Sequence, residues 1–343
     1  MRYLFMVVAG ALSISAVASA QESGPYKIVK TARVGGEGGF DYVYADSAGR
    51  RLYVPRSGNA GRISVFNLDT LEPVGQIPAS GAHGAAVDSK SGHGFSSSKP
   101  VVMWDTKSLA TIKTIEVEGG PDGILGDESN QRIYIFSHRA PNVTVIDAKD
   151  GSIAGTIDLG GAPEQAVSDG KGHVYVDLED KGSIAVFDAK TLKVTTTYDL
   201  QGKGGTCAGL AMDLKNNLLF ASCRNPATMV VLNAADGKIL EALPIGAGTD
   251  GATFNPKTME VFSSQGDGTL SIIQEKSPTS FVVEQTVKTP PRAKTLTLDS
   301  KTGSILLITA EFAPPPPGPD GAAKKGARGQ MVPDTFSLVV VAK

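Results

Sequence analysis

Seven times along this chain an Asp or Asn opens a tight turn, and a short apolar run follows it. The seven are Asp46 in YADSAGRRLYV, Asp88 in VDSKSGHGF, Asp127 in GDESNQRIYIF, Asp169 in SDGKGHVYV, Asp213 in MDLKNNLLFAS, Asn255 in FNPKTMEVFSS and Asp299 in LDSKTGSILLIT. Successive markers are 39 to 44 residues apart. A second set keeps the same register: Asn67, Asp105, Asp147, Asp188 and Asn233 each separate two further strand-like runs. The sixth copy, IIQEKSPTSFVVEQ, lacks its second marker. Each copy thus carries four short strands, designated A to D. A four-stranded sheet of this period cannot bury both faces alone, but seven of them packed radially can. The period therefore predicts an all-β chain folded as a seven-bladed β-propeller, four antiparallel strands per blade. The marker side chains accept hydrogen bonds from turn N–H groups, so they read as structural.

Composition agrees where it bears on the question. With 40 Gly and 20 Pro, and no apolar spacing of helical period beyond the first residues, the chain is built of strands and turns.

The ends account for closure. The run YKIVKTARV, residues 26–34, precedes the first copy and belongs to none. The seventh copy has strand B in SILLITAEF and strand C in TFSLVVVAK, but no strand D. The orphan run is expected to supply it, which removes the free sheet edges of an open ring. One Pro- and Gly-rich insert, residues 313–333, interrupts blade seven between B and C. Its composition predicts an extended, core-free segment, either tolerated or acting as a lid over the same face as the B–C loops.

Residues 1–20 have one basic residue, Arg2, then an apolar run ending Ala18-Ser19-Ala20, the pattern of a cleaved signal peptide. A single domain over 21–343, periplasmic or secreted and monomeric, is the expectation. Without residues 1–20 the chain has 32 basic against 35 acidic residues. That near balance argues against nucleic acid or an anionic membrane as partner, and no later stretch suits a membrane span. An unidentified protein or a small polar ligand is the expected partner.

The stretch NVTVIDAKDGSIAGTIDLGGAPEQAVSDGKGHVYVDLEDKGSIAVFDAKTLKVTTTYDL resembles the YVTN-repeat β-propellers, in their YncE-like branch. The resemblance extends over about residues 35–312 and implies the same fold. It implies little about activity, because similar propellers include lactonases, a lyase, haem-bearing subunits and non-enzymatic scaffolds. One YncE-like member is associated with single-stranded DNA. The shortage of aromatic residues on the B–C loops argues against that role here.

In such a ring strand A lines the central tunnel and starts at the top rim. Five places before each turn marker stand Asp41, His83, Asp122, Glu164, Ala208, Asp250 and Lys294. Six of these seven are ionisable, in a chain only 20% charged. The top rim is thus the candidate binding face. His138 and Arg139, with Arg56, Lys99 and Arg224 in the other B–C loops, form a candidate anion-binding set. No resident cofactor is expected. Calcium is the one cation considered, with His83, Asp122, Glu164 and Asp250 as ligands. No catalytic residue is assigned, since neither a nucleophile elbow nor a Cys-x-x-Cys-His motif occurs. The readings are a binding scaffold first, then a metal-assisted hydrolase or lactonase, then single-strand DNA binding. The two cysteines, Cys207 at the start of strand A and Cys223 at the end of strand B, stand symmetrically about the turn near Lys215. They are expected to face each other and form a disulfide.

Overall fold

The structure, a computed structural model, describes residues 23–58, 61–315 and 329–343. The expected signal peptide, residues 1–20, and the middle of the insert, residues 316–328, lie outside the described residues. Within them the chain forms 28 strands in seven four-stranded antiparallel sheets, with no helix. Among the described residues no helix is long and apolar enough to cross a membrane.

Each blade runs A-B-C-D in chain order, except the last. Blade seven is built from Leu296–Asp299, Ser304–Thr309, Ser337–Ala342 and then Lys27–Arg33. The first strand of the chain pairs with the last, Lys27 opposite Ala342 and Arg33 opposite Ser337. The orphan run does close the ring. At the A–B turns, Arg50 of blade one adds an ion pair to Asp299 of blade seven.

Each turn marker does the local work its chemistry suggests. The side-chain oxygen of Asp46 accepts from Gly49 N, that of Asp127 from Ser129 N, that of Asp213 from Lys215 N and that of Asp299 from Lys301 N. At the C–D turns Asn67, Asp105, Asp147, Asp188 and Asn233 do the same.

Both faces of strand B are buried, because each sheet has a blade on either side. In Arg132–Ser137 the alternation is plain: Ile133 and Ile135 pack towards blade two, Tyr134 and Phe136 towards blade four. Trp104 and Phe66 fill matching inter-blade positions, against Tyr53 and against Leu306 and Ile308. Trp104 needs a glycine beside it: a Cβ on Gly94, its cross-strand partner, would lie 2.2 Å from the indole. Asn142, which begins a glycosylation-like Asn-Val-Thr, is buried and bonded to Ser137 O and Leu159 N.

The described ends of the insert depart from the expectation of a segment without packing. Phe312 bridges Met331, and Ala313 N donates to Gln330 O at 2.8 Å. Phe312 also packs near Phe40 and beneath the Arg292 guanidinium, 3.9 Å from the ring centroid. The reason is apolar side chains: Phe312 and Met331 flank the Pro-rich run and reach the blade one–blade seven core.

Candidate functional site at the tunnel mouth

Strand A of each blade begins at the rim, and the residue leading into it points across the tunnel mouth. The ionisable residues there meet in a closed circuit. The Asp41 carboxylate lies 3.0 Å from His83 Nδ1, which is also 3.1 Å from Asp122. The other Asp122 oxygen lies 3.3 Å from His138 Nε2, and that nitrogen is 3.4 Å from Glu164. Glu164 is hydrogen-bonded to Glu179, which lies 3.5 Å from Arg224. Arg224 binds Asp250, Asp250 binds Lys294, and Lys294 Nζ comes within 3.8 Å of Asp41.

All six ionisable rim positions read from the repeat therefore converge, with His138 and Arg224 from the B–C loops. Ala208 breaks the rim, and Glu179 with Arg224 bridges the gap. Directly below, Cys207 and Cys223 are opposed across strands A and B and joined as a disulfide. Their Cα atoms are 3.8 Å apart, closer than the 4.4–6.8 Å usual for such pairs. The bond ties the residue beside Arg224 to the start of strand A.

The titration behaviour follows from crowding. Burial, then the neighbouring Asp41 and Glu164 carboxylates, push Asp122 up to about 6. A hydrogen bond to Glu164 pushes His138 up to about 9 against the opposing effect of burial. His83 shifts upward through its bond to Asp41. Burial would raise Glu164, but hydrogen bonds from His138, Glu179 and Tyr42 hold it at about 2. A bond to Glu164, then burial, push Glu179 up to about 7.

Two sequence expectations are corrected. Arg56 is not an anion-binding loop residue. It is 1% exposed, donates to the carbonyls of Gly36 and Gly38, and lies over the Phe336 ring. The strand registers align Arg56 with Ser137, not with His138, and a one-residue offset turns a strand side chain to the other face. Asp250 does not join the histidines as a metal ligand, because Arg224 and Lys294 hold both its oxygens. Arg139 is exposed and stands outside the circuit, with no carboxylate partner among the described residues.

Two participants escaped sequence reasoning. Tyr42, whose hydroxyl burial keeps protonated, donates across the tunnel to Glu164 at 2.9 Å. Glu179 occupies the B–C loop place equivalent to His138 and Arg224. Its alignment with them was the available signal.

Beside the basic half of the circuit opens a cleft of about 810 Å³. Arg224, Asp250, Arg292 and Lys294 line one part, and Phe40, Phe312 and Met331 another. Arg292 has no carboxylate partner among the described residues; its contact is the Phe312 ring.

No family model matches the chain. Two curated relatives do, each called uncharacterized protein YncE, from Salmonella typhi and from Salmonella typhimurium strain LT2. Both are 24% identical over 193 residues, which is 54% of this chain and 54% of theirs. The chain thus spans about half the length of the curated relatives it matches. Among solved structures, the RRP9 WD40 repeats superpose with a TM-score of 0.70 at 11% identity, covering 94% of this chain and 99% of that one. A chain of the mitotic checkpoint complex gives 0.68 at 13% identity, covering 90% and 95%. The fold is that of a β-propeller. At such identities these neighbours speak to fold alone.

Proposed function

We propose that the chain is an extracytoplasmic propeller of the YncE-like branch that binds a small organic anion with an apolar body at its top face. One observation carries this reading: a cleft of small-molecule size is lined by Arg292, which has no carboxylate partner among the described residues, and by the apolar side chains of Phe40, Phe312 and Met331. A carboxylate, phosphate or sulfonate head would pair with Arg292, while Phe40, Phe312 and Met331 cover the body of the ligand. The alternating signs around the tunnel mouth leave no continuous basic groove for a single-stranded nucleic acid to follow. The YncE relatives support the branch, and the signal-peptide pattern of residues 1–20 supports export.

The test uses 8-anilinonaphthalene-1-sulfonate, an aromatic sulfonate, as the probe. Fluorescence titration is expected to show one site, weakened at least about tenfold in both Arg292→Ala and Phe312→Ala, since a charge-assisted contact is worth about 1.5–3 kcal/mol. Lys193→Ala, on an exposed outer strand, serves as control. Equal binding by all four proteins would rule out the cleft.

A further inference from the structure

The half of the tunnel mouth away from the cleft has a geometry that hydrogen bonding alone does not account for. His83 Nδ1 faces two carboxylate oxygens, Asp41 Oδ2 at 3.0 Å and Asp122 Oδ1 at 3.1 Å. His138 Nε2 likewise faces two, Asp122 Oδ2 at 3.3 Å and Glu164 Oε1 at 3.4 Å. An imidazole nitrogen carries one proton at most, so it serves one acceptor well and not two. Both His138 contacts are also longer than the 2.7–3.2 Å of a good N–H···O bond.

These spacings have another meaning. Two donors each about 2.1 Å from a shared ion are about 3.0 Å apart at a right angle and about 3.4 Å apart at the tetrahedral angle. The four distances, 3.0 to 3.4 Å, lie in that interval. The donors fall into two groups, Asp41–His83–Asp122 and Asp122–His138–Glu164, with the atoms in each mutually within 4.8 Å. No group contains both histidines, so one ion does not serve both. Asp122 belongs to each group and turns a different oxygen to each.

We propose that the tunnel mouth binds two divalent transition-metal ions of the zinc class, bridged by the Asp122 carboxylate. Each ion takes one imidazole nitrogen and two carboxylates from the protein and leaves positions for water or a ligand. A nitrogen in each group selects borderline ions over calcium, which takes oxygen ligands at longer distances. Three carboxylates crowded in a half-buried place are offset by the cations they hold. An outer contact fits as well: Tyr42 donates to Glu164 Oε2, the oxygen turned away from His138, as hydrogen-bonded groups behind metal ligands do. Asp250 takes no part, since Arg224 and Lys294 hold it.

The proposal does not rest on the anion cleft, and one set of variants separates the two. The full chain is stripped with a chelator, titrated with Zn²⁺ by calorimetry, and loaded with Co²⁺ for visible absorption. Two equivalents of Zn²⁺ are expected for the wild type and one for His83→Gln or His138→Gln. Asp122→Ala should lose high-affinity binding at both positions while keeping its circular dichroism. Arg292→Ala should keep both equivalents, whatever it does to the sulfonate probe. Co²⁺ should give nitrogen-ligand d–d bands that weaken by about half in each histidine variant. Zero or one equivalent in the wild type, or full binding by either histidine variant, overturns the bridged pair.

Discussion

Arg50 Nη1 lies 2.7 Å from Asp299 Oδ1, joining the first A–B turn of the ring to the last. Asp299 is almost wholly buried there, and also accepts from Lys301 N and Thr302 Oγ1. Burial would raise its carboxyl, but the Arg50 and Thr302 bonds hold it well below the usual range. A depressed folded pKa contributes stability that is complete above the unfolded value and is lost as pH falls through the folded one. Arg50→Ala should therefore cost about 3 kcal/mol at pH 7. The gap to wild type should narrow as the pH falls below the range where an unfolded carboxyl titrates. Urea melts from pH 7 to pH 2 measure this; a gap independent of pH would contradict it.

The Cys207–Cys223 disulfide closes a sequence separation of 16 residues. On the chain-entropy account, opening a loop of that size costs about 3 kcal/mol. Protein recovered under oxidising conditions should resist alkylation at both cysteines by intact mass. The Cys207→Ser/Cys223→Ser double variant should melt several degrees lower. Because Arg224 follows Cys223, loosening of the Arg224–Asp250 contact should accompany the loss, read as weaker sulfonate binding. Two freely alkylated thiols would refute the pairing.

Asp177 is fully buried, and neither carboxylate oxygen has a partner among the described residues. Burial, with the nearby Glu164 charge, raises its pKa well above the ordinary value. Ser97, Ser222 and Ser264 occupy the same strand-B position in other blades, and Ser97 and Ser264 are bonded to backbone there. Asp177→Ser should stabilise by about 1–3 kcal/mol at pH 7, the usual penalty of an unsatisfied buried group. For a raised carboxyl the folded state is disfavoured as pH climbs above the unfolded value, so the gain should shrink towards pH 4 and below. Thermal melts at both pH values decide the matter, and a loss of stability at pH 7 would show an unseen partner.

Gly94→Ala should destabilise the protein by about 1–3 kcal/mol, because the new methyl group overlaps the Trp104 ring. The double change Gly94→Ala/Trp104→Phe should recover part of that loss. If the second change adds its own full cost instead, the two positions are not in steric conflict.

Much of the architecture was legible because one requirement recurs. A tight A–B turn needs a side-chain acceptor at its start, and Asp or Asn supplies it in all seven copies. Once Asp46 and its equivalents were in register, the rim residues followed by counting, and so did the opposition of Cys207 and Cys223. The loops carry no such marker. Glu179 stayed hidden for that reason, and Arg56, one place short of the equivalent loop position, was assigned to the wrong face. Tyr42 reads as an ordinary strand residue; only the ring's curvature brings its hydroxyl to Glu164, 122 positions away. The apolar reach of Phe312 and Met331 was concealed by the prolines between them.

The pairing of Lys27–Arg33 with Ser337–Ala342 also sets a timetable. A ribosome makes these two segments far apart in time, so the earlier one has no native partner until the later one has been made. Six blades have all their strands before that moment, while the seventh does not. The final seam is sealed only after Ser337–Ala342 has emerged, and a chain stalled or clipped short of Ser337 leaves an unzipped sheet edge on blade seven. Such a chain is a natural substrate for quality-control proteases, whereas the sealed ring offers them no loose strand at that seam.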